Sequence, residues 1–140
     1  SNTDMVIKST YLPKPGETIL GGTFFMNAGG KGANQAVAAA RLGGNVSFIA
    51  KVGDDMLGKQ AIELFNKEGI DTTNDFTDTK HPSGVALINV DDNGENCIVV
   101  ASGANAALMK EDIETVKEKV NSLTDSAEEK VEKASDEVAD

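Results

Sequence analysis

A glycine-rich stretch at residues 28–34 (AGGKGAN) restricts the fold of this chain more than any other feature. Residues 32–42 are rich in Ala, Gln, Arg and Leu, which favour a helix, and the glycine pair that follows is expected to end it. Residues 23–26, which precede the stretch, are typical of a strand. The stretch is therefore predicted to connect a strand to the N-terminus of a helix, where glycines let backbone N–H groups approach a ligand.

The remaining segments alternate between strand-like and helix-like patterns. A helix is predicted over residues 56–68, with Asp54 or Asp55 as its N-cap. The order of elements predicts an α/β fold with a parallel sheet and an additional small β-sheet. Strands are expected at residues 4–8, 18–20, 23–26 and 46–52, with another after residues 70–73.

The Asn93-Gly94 pair separates two apolar runs, residues 85–90 and 97–100. This pattern predicts a β-hairpin with a type I′ turn, which needs a positive φ at both central positions. Cys97, at the start of the second run, is expected to be partly buried. Residues 103–108 are interpreted as a loop that leads into a helix from about residue 111.

Composition excludes several classes of function. The net charge of −10 argues against binding nucleic acid or an anionic membrane. One Cys and one His exclude an internal disulfide, a thiolate cluster and a His-rich metal site, so no metal site is expected. The apolar runs are too short to span a bilayer, and no signal peptide is visible at the start. A cytoplasmic protein is the expectation.

The negative charge is concentrated in a C-terminal tail. Residues 111–140 hold 11 acidic residues and 4 lysines. The apolar residues there recur at helical spacing and form one narrow stripe. We expect a helix that covers one side of the body, with a coiled-coil or partner-binding segment as the alternative. The stripe comprises Ile113, Val116, Val120, Leu123, Ala127, Val131, Ala134 and Val138.

The glycine-rich stretch carries the residues best suited to bind a ligand. Lys31 supplies a cation and Asn34 both donates and accepts hydrogen bonds, which suits a polyhydroxylated or anionic small molecule. Neither the Walker A nor the G-x-G-x-x-G pattern occurs there, and a purely structural turn is the alternative. Asn2 and Asp4 are expected at the carboxyl end of the first strand, where α/β sheets bind ligands. A turn-capping Asp is the alternative.

Two other polar features are interpreted without a catalytic role. The adjacent Asp54 and Asp55 precede a helix, and such acids are typical of N-caps. His81 precedes a proline in a loop and has no Ser or Cys nucleophile pattern near it, so it is expected to face solvent.

Residues 29–36 (GGKGANQA), followed by Gly43 and Gly53, resemble the N-terminal signature of the ribokinase (phosphofructokinase-B) sugar kinase family. The resemblance covers residues 1–115, and GGKGANQA is more similar to the ribokinase branch than to fructokinases or adenosine kinases. Further segments in the family's order are SNTDM, PGET, VGDDMLG, GVALI, NGEN and GAN.

The resemblance implies a partial Rossmann-like α/β sandwich at residues 1–115 and an acidic helical tail at residues 116–140. It also implies a β-clasp lid, built from residues 10–26 and 83–101, which closes over a sugar and pairs two subunits into a homodimer. The implied substrate is ribose, and the implied cofactors are ATP, Mg²⁺ and K⁺. The substrate-binding residues implied by the motif are Asn2, Thr3, Asp4, Gly30, Lys31, Gly32, Ala33 and Asn34.

The chain departs from the family in its second half. The family's catalytic base is an Asp in a D-T-x-G-A-G-D motif, and that motif does not occur in these 140 residues. The ATP site would lie in the same missing part, so no catalytic residue is expected in this chain. The resemblance thus implies the sugar-binding N-terminal portion of an enzyme that phosphorylates the 5-hydroxyl of ribose. The alternative is a non-enzymatic folded fragment or assembly module.

Overall fold

A computed structural model describes residues 1–139, with side chains described for residues 1–128. The chain forms two compact units, one spanning Ser1–Leu108 and one that begins at Met109. In chain order the elements are β1 (Asn2–Lys8), β2 (Thr23–Gly29), α1 (Lys31–Arg41), β3 (Lys51–Gly53), α2 (Met56–Lys67), β4 (Phe76–Asp78), β5 (Val85–Val90), β6 (Asn96–Ala101), a 3-10 helix (Gly103–Ala107) and α3 (Lys110–Ala139). This mixed composition confirms the predicted α/β class.

The larger sheet of the first unit has four strands in the order β2-β1-β5-β6, so β2 and β6 lie at its edges. β1 runs antiparallel to β2 and parallel to β5, and β5 runs antiparallel to β6. Because side chains alternate along a strand, Asp4 and its partner Ala86 share one face of this sheet, while Met5 and its partner Leu87 share the other. We call the face that carries Met5 the outer face and the face that carries Asp4 the inner face.

The second part of this unit is a helical layer on a two-stranded parallel sheet of β3 and β4. Its core consists of Ala33 and Ala36 from α1, Phe65 from α2, and Ile70. The Phe65 ring meets the ring of Phe48 edge-on, with 5.1 Å between centroids. The small side chains of Ala33 and Ala36 allow α1 to pack closely against this core.

α2 is close to its predicted bounds, and its N-cap is Asp55, one of the two candidates. The Asp55 Oδ1 atom accepts a hydrogen bond from the Gly58 N–H over 2.8 Å. This bond satisfies one of the free donors at the helix N-terminus.

Two strand predictions are wrong in extent. Residues 18–20 form no strand, and β2 begins only at Thr23, after two glycines with positive φ. The segment predicted at residues 46–52 is a strand only at Lys51–Gly53, with one isolated bridge between Ser47 and Asp71. The Ala50 N–H donates to the Asp75 carboxylate over 2.7 Å instead of to a strand, which shows how a side chain can replace a ladder bond.

The position predicted for Asn2 and Asp4 is also wrong. They lie at the beginning of β1, because the whole of Asn2–Lys8 pairs with β2. Since β1 and β2 are antiparallel, the beginning of β1 meets the carboxyl end of β2. Asn2 and Asp4 therefore lie beside the carboxyl end of a strand, as expected for a ligand site, but that strand is β2 and not β1.

The predicted hairpin is confirmed, whereas its predicted turn type is wrong. Only Gly94 has a positive φ in this turn (84°), since no non-glycine residue in the described chain has one. The Asp91 carboxylate accepts the backbone N–H groups of Asn93 and Glu95, which favours a wider turn than type I′. Cys97 is exposed rather than partly buried, because it lies on the edge strand β6.

The segments after the hairpin are more helical than expected. The predicted loop at residues 103–108 contains the 3-10 helix. The second unit is the helix α3, which begins one residue before the predicted start. Within the predicted stripe, Ile113, Val120 and Leu123 are exposed, and the side chains of Val131, Ala134 and Val138 lie outside the described residues. In the described part of the chain, no helix combines the length and apolar content needed to cross a bilayer.

Candidate functional site

The candidate site is built where the end of β2 lies beside the beginning of β1. Asn2 pairs with Gly29, Thr3 with Ala28 and Asp4 with Asn27. The chain then passes from Gly29 through Gly30 directly into α1. One antiparallel pairing thus places all three predicted β1 residues beside the glycine-rich entry to the helix.

The Asp4 carboxylate lies directly against the backbone of Gly29. A Cβ atom at position 29 would overlap both oxygens and the carbon of that carboxylate. Gly29 is buried, whereas Asp4 is half-buried. Only glycine leaves room here for a carboxylate beside the helix entry. Among the described residues none hydrogen-bonds to this carboxylate, so both oxygens remain available to hydroxyl donors.

Gly30 is the N-cap of α1 and has a φ of 97°, which favours glycine. A Cβ at this position would also lie 3.0 Å from the backbone nitrogen of Asn2. Within residues 1–128 no side chain caps this helix, and its first turn carries no acidic residue. The first N–H groups of α1 and its positive dipole end are therefore available to electron-rich atoms of a ligand.

The four predicted residues in the first turn of α1 differ in orientation. Lys31 and Asn34 are exposed, so both side chains can reach a ligand. Ala33 is buried in the core, and a Cβ on Gly32 would face the ring of Phe48 at 3.7 Å. For Gly32 and Ala33, only the backbone can contribute to the site.

The predicted site residues do not line one common cavity. Asn2 and Thr3 line a cavity of about 330 Å³ beside α2. Asn34 lines another of about 430 Å³, whose wall includes the last turn of α1. Asp4 and Lys31 line neither of these two cavities. The structure thus joins Asp4 to the glycines through contact, but it does not enclose the predicted set in one cavity.

Asn105 was missed as a supporting residue by the sequence analysis. Its amide Nδ2 donates to the Asn2 Oδ1 atom over 2.9 Å and to the Ser102 carbonyl over 3.0 Å. A Cβ on Gly84 would overlap the side-chain amides of both Asn105 and Asn2. The only sequence signal was the GAN segment after β6, and the long-range bond to Asn2 could not be inferred from it.

The most perturbed carboxyl group lies outside this site. Burial raises the pKa of Asp75 to about 6, although the Ala50 N–H lowers it by donating to Oδ1. Its other oxygen, Oδ2, is buried without a hydrogen-bond partner in the described part of the chain. Asp75 lies just before β4, so its raised pKa affects the stability of the helical layer and not the candidate site.

His81 is exposed, as expected, and it pairs with a carboxylate. Its Nδ1 atom lies 2.9 Å from Asp78 Oδ2. Hydrogen bonds from the His81 ring and then from the Lys80 N–H lower the pKa of Asp78 to about 2. Among the described residues no three His, Cys, Asp or Glu side chains are grouped so that they could hold a metal ion.

Comparison with known sequences identifies relatives over most of the chain. Residues 1–130 match the family described as pfkB family carbohydrate kinase, so the match extends past residue 115. A ribokinase from Haemophilus influenzae is 51% identical over 107 residues, which are 76% of this chain and 35% of that protein. The chain spans about a third of the length of the curated relatives that it matches.

Comparison with solved structures agrees with the sequence match. A ribokinase from Giardia lamblia has a TM-score of 0.75 and 31% identity, over 82% of this chain and 35% of that chain. An Arabidopsis thaliana ribokinase, solved with ribose and ATP, has a TM-score of 0.66 and 34% identity, over 74% of this chain and 34% of that chain. Together with the family match over residues 1–130, these likenesses show that the chain belongs to the pfkB family of carbohydrate kinases.

Proposed function

We propose that this chain is the sugar-binding part of a ribokinase-type enzyme and that ribose binds between Asp4 and the N-terminus of α1. The contact of the Asp4 carboxylate with Gly29 is the observation that carries the proposal. A carboxylate with two free oxygens accepts hydrogen bonds from two adjacent hydroxyl groups, as a pentose presents them. The relative solved with ribose and ATP supports the same class of ligand.

The other residues of the site have complementary roles in this proposal. The exposed side chains of Lys31 and Asn34 donate hydrogen bonds to sugar oxygens, and Asn34 can also accept one. The N–H groups of the first turn, including those of Gly32 and Ala33, offer further donors. Asn2 extends the polar surface beside Asp4 on the inner face, and Thr3, whose side chain lies on the outer face, contributes through its backbone. The inner face of the four-stranded sheet would cover the sugar and exclude water from it.

Phosphoryl transfer itself is not assigned to this chain. ATP, Mg²⁺ and K⁺ belong to the family's reaction, and in our proposal the residues that bind them are not among these 140. ATP supplies the phosphoryl group, while the residues of this chain bind and orient the hydroxyl that receives it. A reducing, cytoplasmic setting agrees with a single cysteine whose thiol is exposed and free.

A titration of the chain with ribose tests the sugar site. Isothermal calorimetry should give a binding isotherm for the unmodified chain and a loss of about tenfold or more in affinity for Asp4→Asn, since a charged acceptor is removed. Asp92→Asn removes an equal charge from an exposed turn and serves as the control. Equal affinities for the two variants, or no binding by the unmodified chain, would contradict the proposal.

An assay for ADP tests the assignment of catalysis. The chain incubated with ribose, ATP, Mg²⁺ and K⁺ should release no ADP above the background, because the D-T-x-G-A-G-D motif with the family's catalytic base does not occur in these residues. Turnover that disappears in Asp4→Ala would show instead that the chain is a complete enzyme.

The outer face of the four-stranded sheet supports a homodimer as part of this proposal. Leu87 and Val99 are paired across the outer face and are 54% and 68% exposed. Ile7 and Phe24 continue the apolar surface, which contains a pocket of about 320 Å³. An apolar face of this kind is typical of an interaction surface, and a second copy supplies an identical face without a charged residue at its centre.

Light scattering after gel filtration tests this dimer. Leu87→Glu should convert a species of twice the chain mass to the monomer, because it places a charge on the apolar face. Leu42→Glu makes the same change at an exposed position outside the sheet and should leave the dimer intact. A monomeric unmodified chain would refute the dimer.

A non-enzymatic assembly module is the second candidate function. The separate helix α3, with apolar residues exposed at Ile113, Val120 and Leu123, favours it. A module of this kind would dimerise without binding ribose, so the calorimetric titration separates the two candidates.

A further inference from the structure

The Asp55 carboxylate has contacts beyond its role as N-cap of α2. Its Oδ2 atom accepts the Ser83 N–H over 2.7 Å, and its Oδ1 atom accepts the Ser83 Oγ–H over 2.7 Å. The Ser83 hydroxyl in turn accepts the Gly53 N–H over 3.0 Å. One buried serine is therefore bound by the end of β3 and by the N-terminus of α2 together.

Glycines surround this serine so tightly that no side chain fits. A Cβ on Gly53 would overlap the Ser83 nitrogen. A Cβ on Gly58 would overlap the Gly53 carbonyl oxygen and would lie 2.9 Å from the Ser83 Oγ atom. A Cβ on Gly103 would overlap the Pro82 carbonyl oxygen. The packing fixes the backbone here as closely as a side-chain core would.

The same backbone segment holds the strand that carries Asp4. Ser83 is followed by Gly84, whose carbonyl accepts the Thr3 N–H over 3.0 Å. The Pro82 carbonyl accepts the Ala104 N–H over 2.8 Å, so the 3-10 helix is bonded to the same segment. We call residues 82–84 and their bonds to Asp55 the joint. Residues 82–84 are thus bonded to the helical layer on one side and to the beginning of β1 on the other.

Hydrogen bonding keeps the Asp55 carboxylate ionised. Burial raises the pKa of Asp55, but donation from the backbone of Ser83, the backbone of Gly58 and the Ser83 hydroxyl outweighs burial and lowers it below the ordinary value. Charge-assisted bonds of this kind are stronger and more directional than neutral ones. At neutral pH the joint therefore holds one defined geometry.

We propose that Asp55 is a positioning residue for the sugar site: through Ser83 it ties α2 to the start of β5 and so fixes the beginning of β1 relative to the N-terminus of α1. It does not touch the sugar. The identity of the ligand as ribose rests on the proposed function. The role of Asp55 in holding the four-stranded sheet to the helical layer does not depend on it. Without the tie, the four-stranded sheet moves relative to the helical layer, and Asp4 loses its register with the helix entry.

Two variants weaken the tie in different ways. Asp55→Asn keeps the Oδ1 atom that caps α2 but places an N–H₂ group opposite the Ser83 N–H, which then has no acceptor there. Ser83→Ala leaves Asp55 and the cap intact and deletes only the hydroxyl. Asp54→Asn is the matched control, since it removes the same charge one residue away, from an exposed carboxylate whose partner is Lys59.

Hydrogen exchange of the full chain tests the joint without a ligand. In Asp55→Asn and Ser83→Ala, amides of residues 2–6 and 84–88 should exchange about tenfold faster, while amides around Phe65 keep their rates. Asp54→Asn should resemble the unmodified chain. Acceleration confined to the first turn of α2, or equal acceleration throughout the first unit, would overturn the positioning role.

Ribose affinity provides the second measurement. Both joint variants should weaken ribose binding about tenfold or more while their far-ultraviolet circular dichroism stays unchanged. Unchanged affinity together with faster exchange would show that the joint does not position the site, which overturns the proposal. If the unmodified chain binds no ribose, the proposed function fails, and the exchange pattern still decides whether Asp55 holds the sheet to the helical layer.

Discussion

The helical layer and the four-stranded sheet of the first unit bury their apolar residues very differently. In the helical layer Phe65 is 1% exposed, and Ala33, Ala36 and Ile70 complete a closed core. In the sheet, large apolar residues such as Phe24, at 58% exposed, face outward. A layer that closes on itself stabilises the fold, whereas a sheet with an open apolar face is suited to bind something.

The largest expected effect comes from truncating the closed core. Phe65→Ala should lower the free energy of unfolding by about 3–5 kcal/mol, because it leaves a cavity against Phe48. Phe24→Ala removes the same atoms from the exposed sheet face and should cost far less. Chemical denaturation of both variants measures the contrast, and similar costs would show that the sheet face is as well packed as the core.

A smaller effect is expected where the two regions join. Gly29→Ala should cost about 1–3 kcal/mol, because the new methyl group overlaps the Asp4 carboxylate. The same substitution should cost much less in an Asp4→Ala background, since the clash is then absent. A double-mutant cycle from urea denaturation measures this coupling, and additive costs would contradict the contact.

The buried carboxyl of the helical layer should make stability depend on pH. Because the pKa of Asp75 is raised to about 6, the folded chain binds this proton more tightly than the unfolded chain does. The free energy of unfolding should therefore rise as the pH falls from about 6 to about 4. Asp75→Asn should add about 1 kcal/mol at pH 7, allowing for partial solvation, and should flatten this rise.

Thermal unfolding of both chains between pH 7 and pH 4 checks the Asp75 prediction. Asp78 acts in the opposite sense, since its pKa is lowered to about 2 and its contribution is lost only as the pH falls from about 4. A melting temperature that falls steadily from pH 7 to pH 5 in the unmodified chain would contradict the role of Asp75.

The smallest effect is expected at the surface of the helical layer. The Arg41 Nε atom donates to Glu68 Oε2 over 2.8 Å, but the Arg41 side chain is largely exposed. Solvent screens such pairs, so Arg41→Ala should change the melting temperature less than any substitution above. A drop as large as that of Phe65→Ala would show that this pair joins α1 to α2.

Local sequence patterns were sufficient where short-range chemistry decides the structure. The Asn93-Gly94 pair correctly predicted the hairpin. The adjacent acids at Asp54 and Asp55, followed by apolar residues at helical spacing, correctly predicted α2 and included its N-cap, Asp55. The turn type was wrong because the Asp91 carboxylate collects neighbouring N–H groups, which the dipeptide pattern does not report. The strand at residues 46–52 was overestimated because the distant Asp75 takes the Ala50 N–H.

The site residues were suggested by motif, but their support came from contacts between distant parts of the chain. The position of Asp4 at the beginning of β1 follows from its antiparallel register with β2, and sequence periodicity does not encode register by itself. Likewise, the bonds of Asn105 to Asn2 and of Asp55 to Ser83 join segments far apart in sequence. No local pattern predicts such pairs.

The edge strand β6 has a practical consequence for the behaviour of the protein in solution. β6 (NCIVVA) carries neither a charged residue nor a proline, and its backbone along one side has no neighbouring strand in the described sheet. Natural proteins commonly protect such rims with lysine or a bulge. In concentrated solution we expect this rim to act as a template on which further copies add strand by strand. A single lysine on β6 would block that growth and would make the protein easier to handle at millimolar concentration.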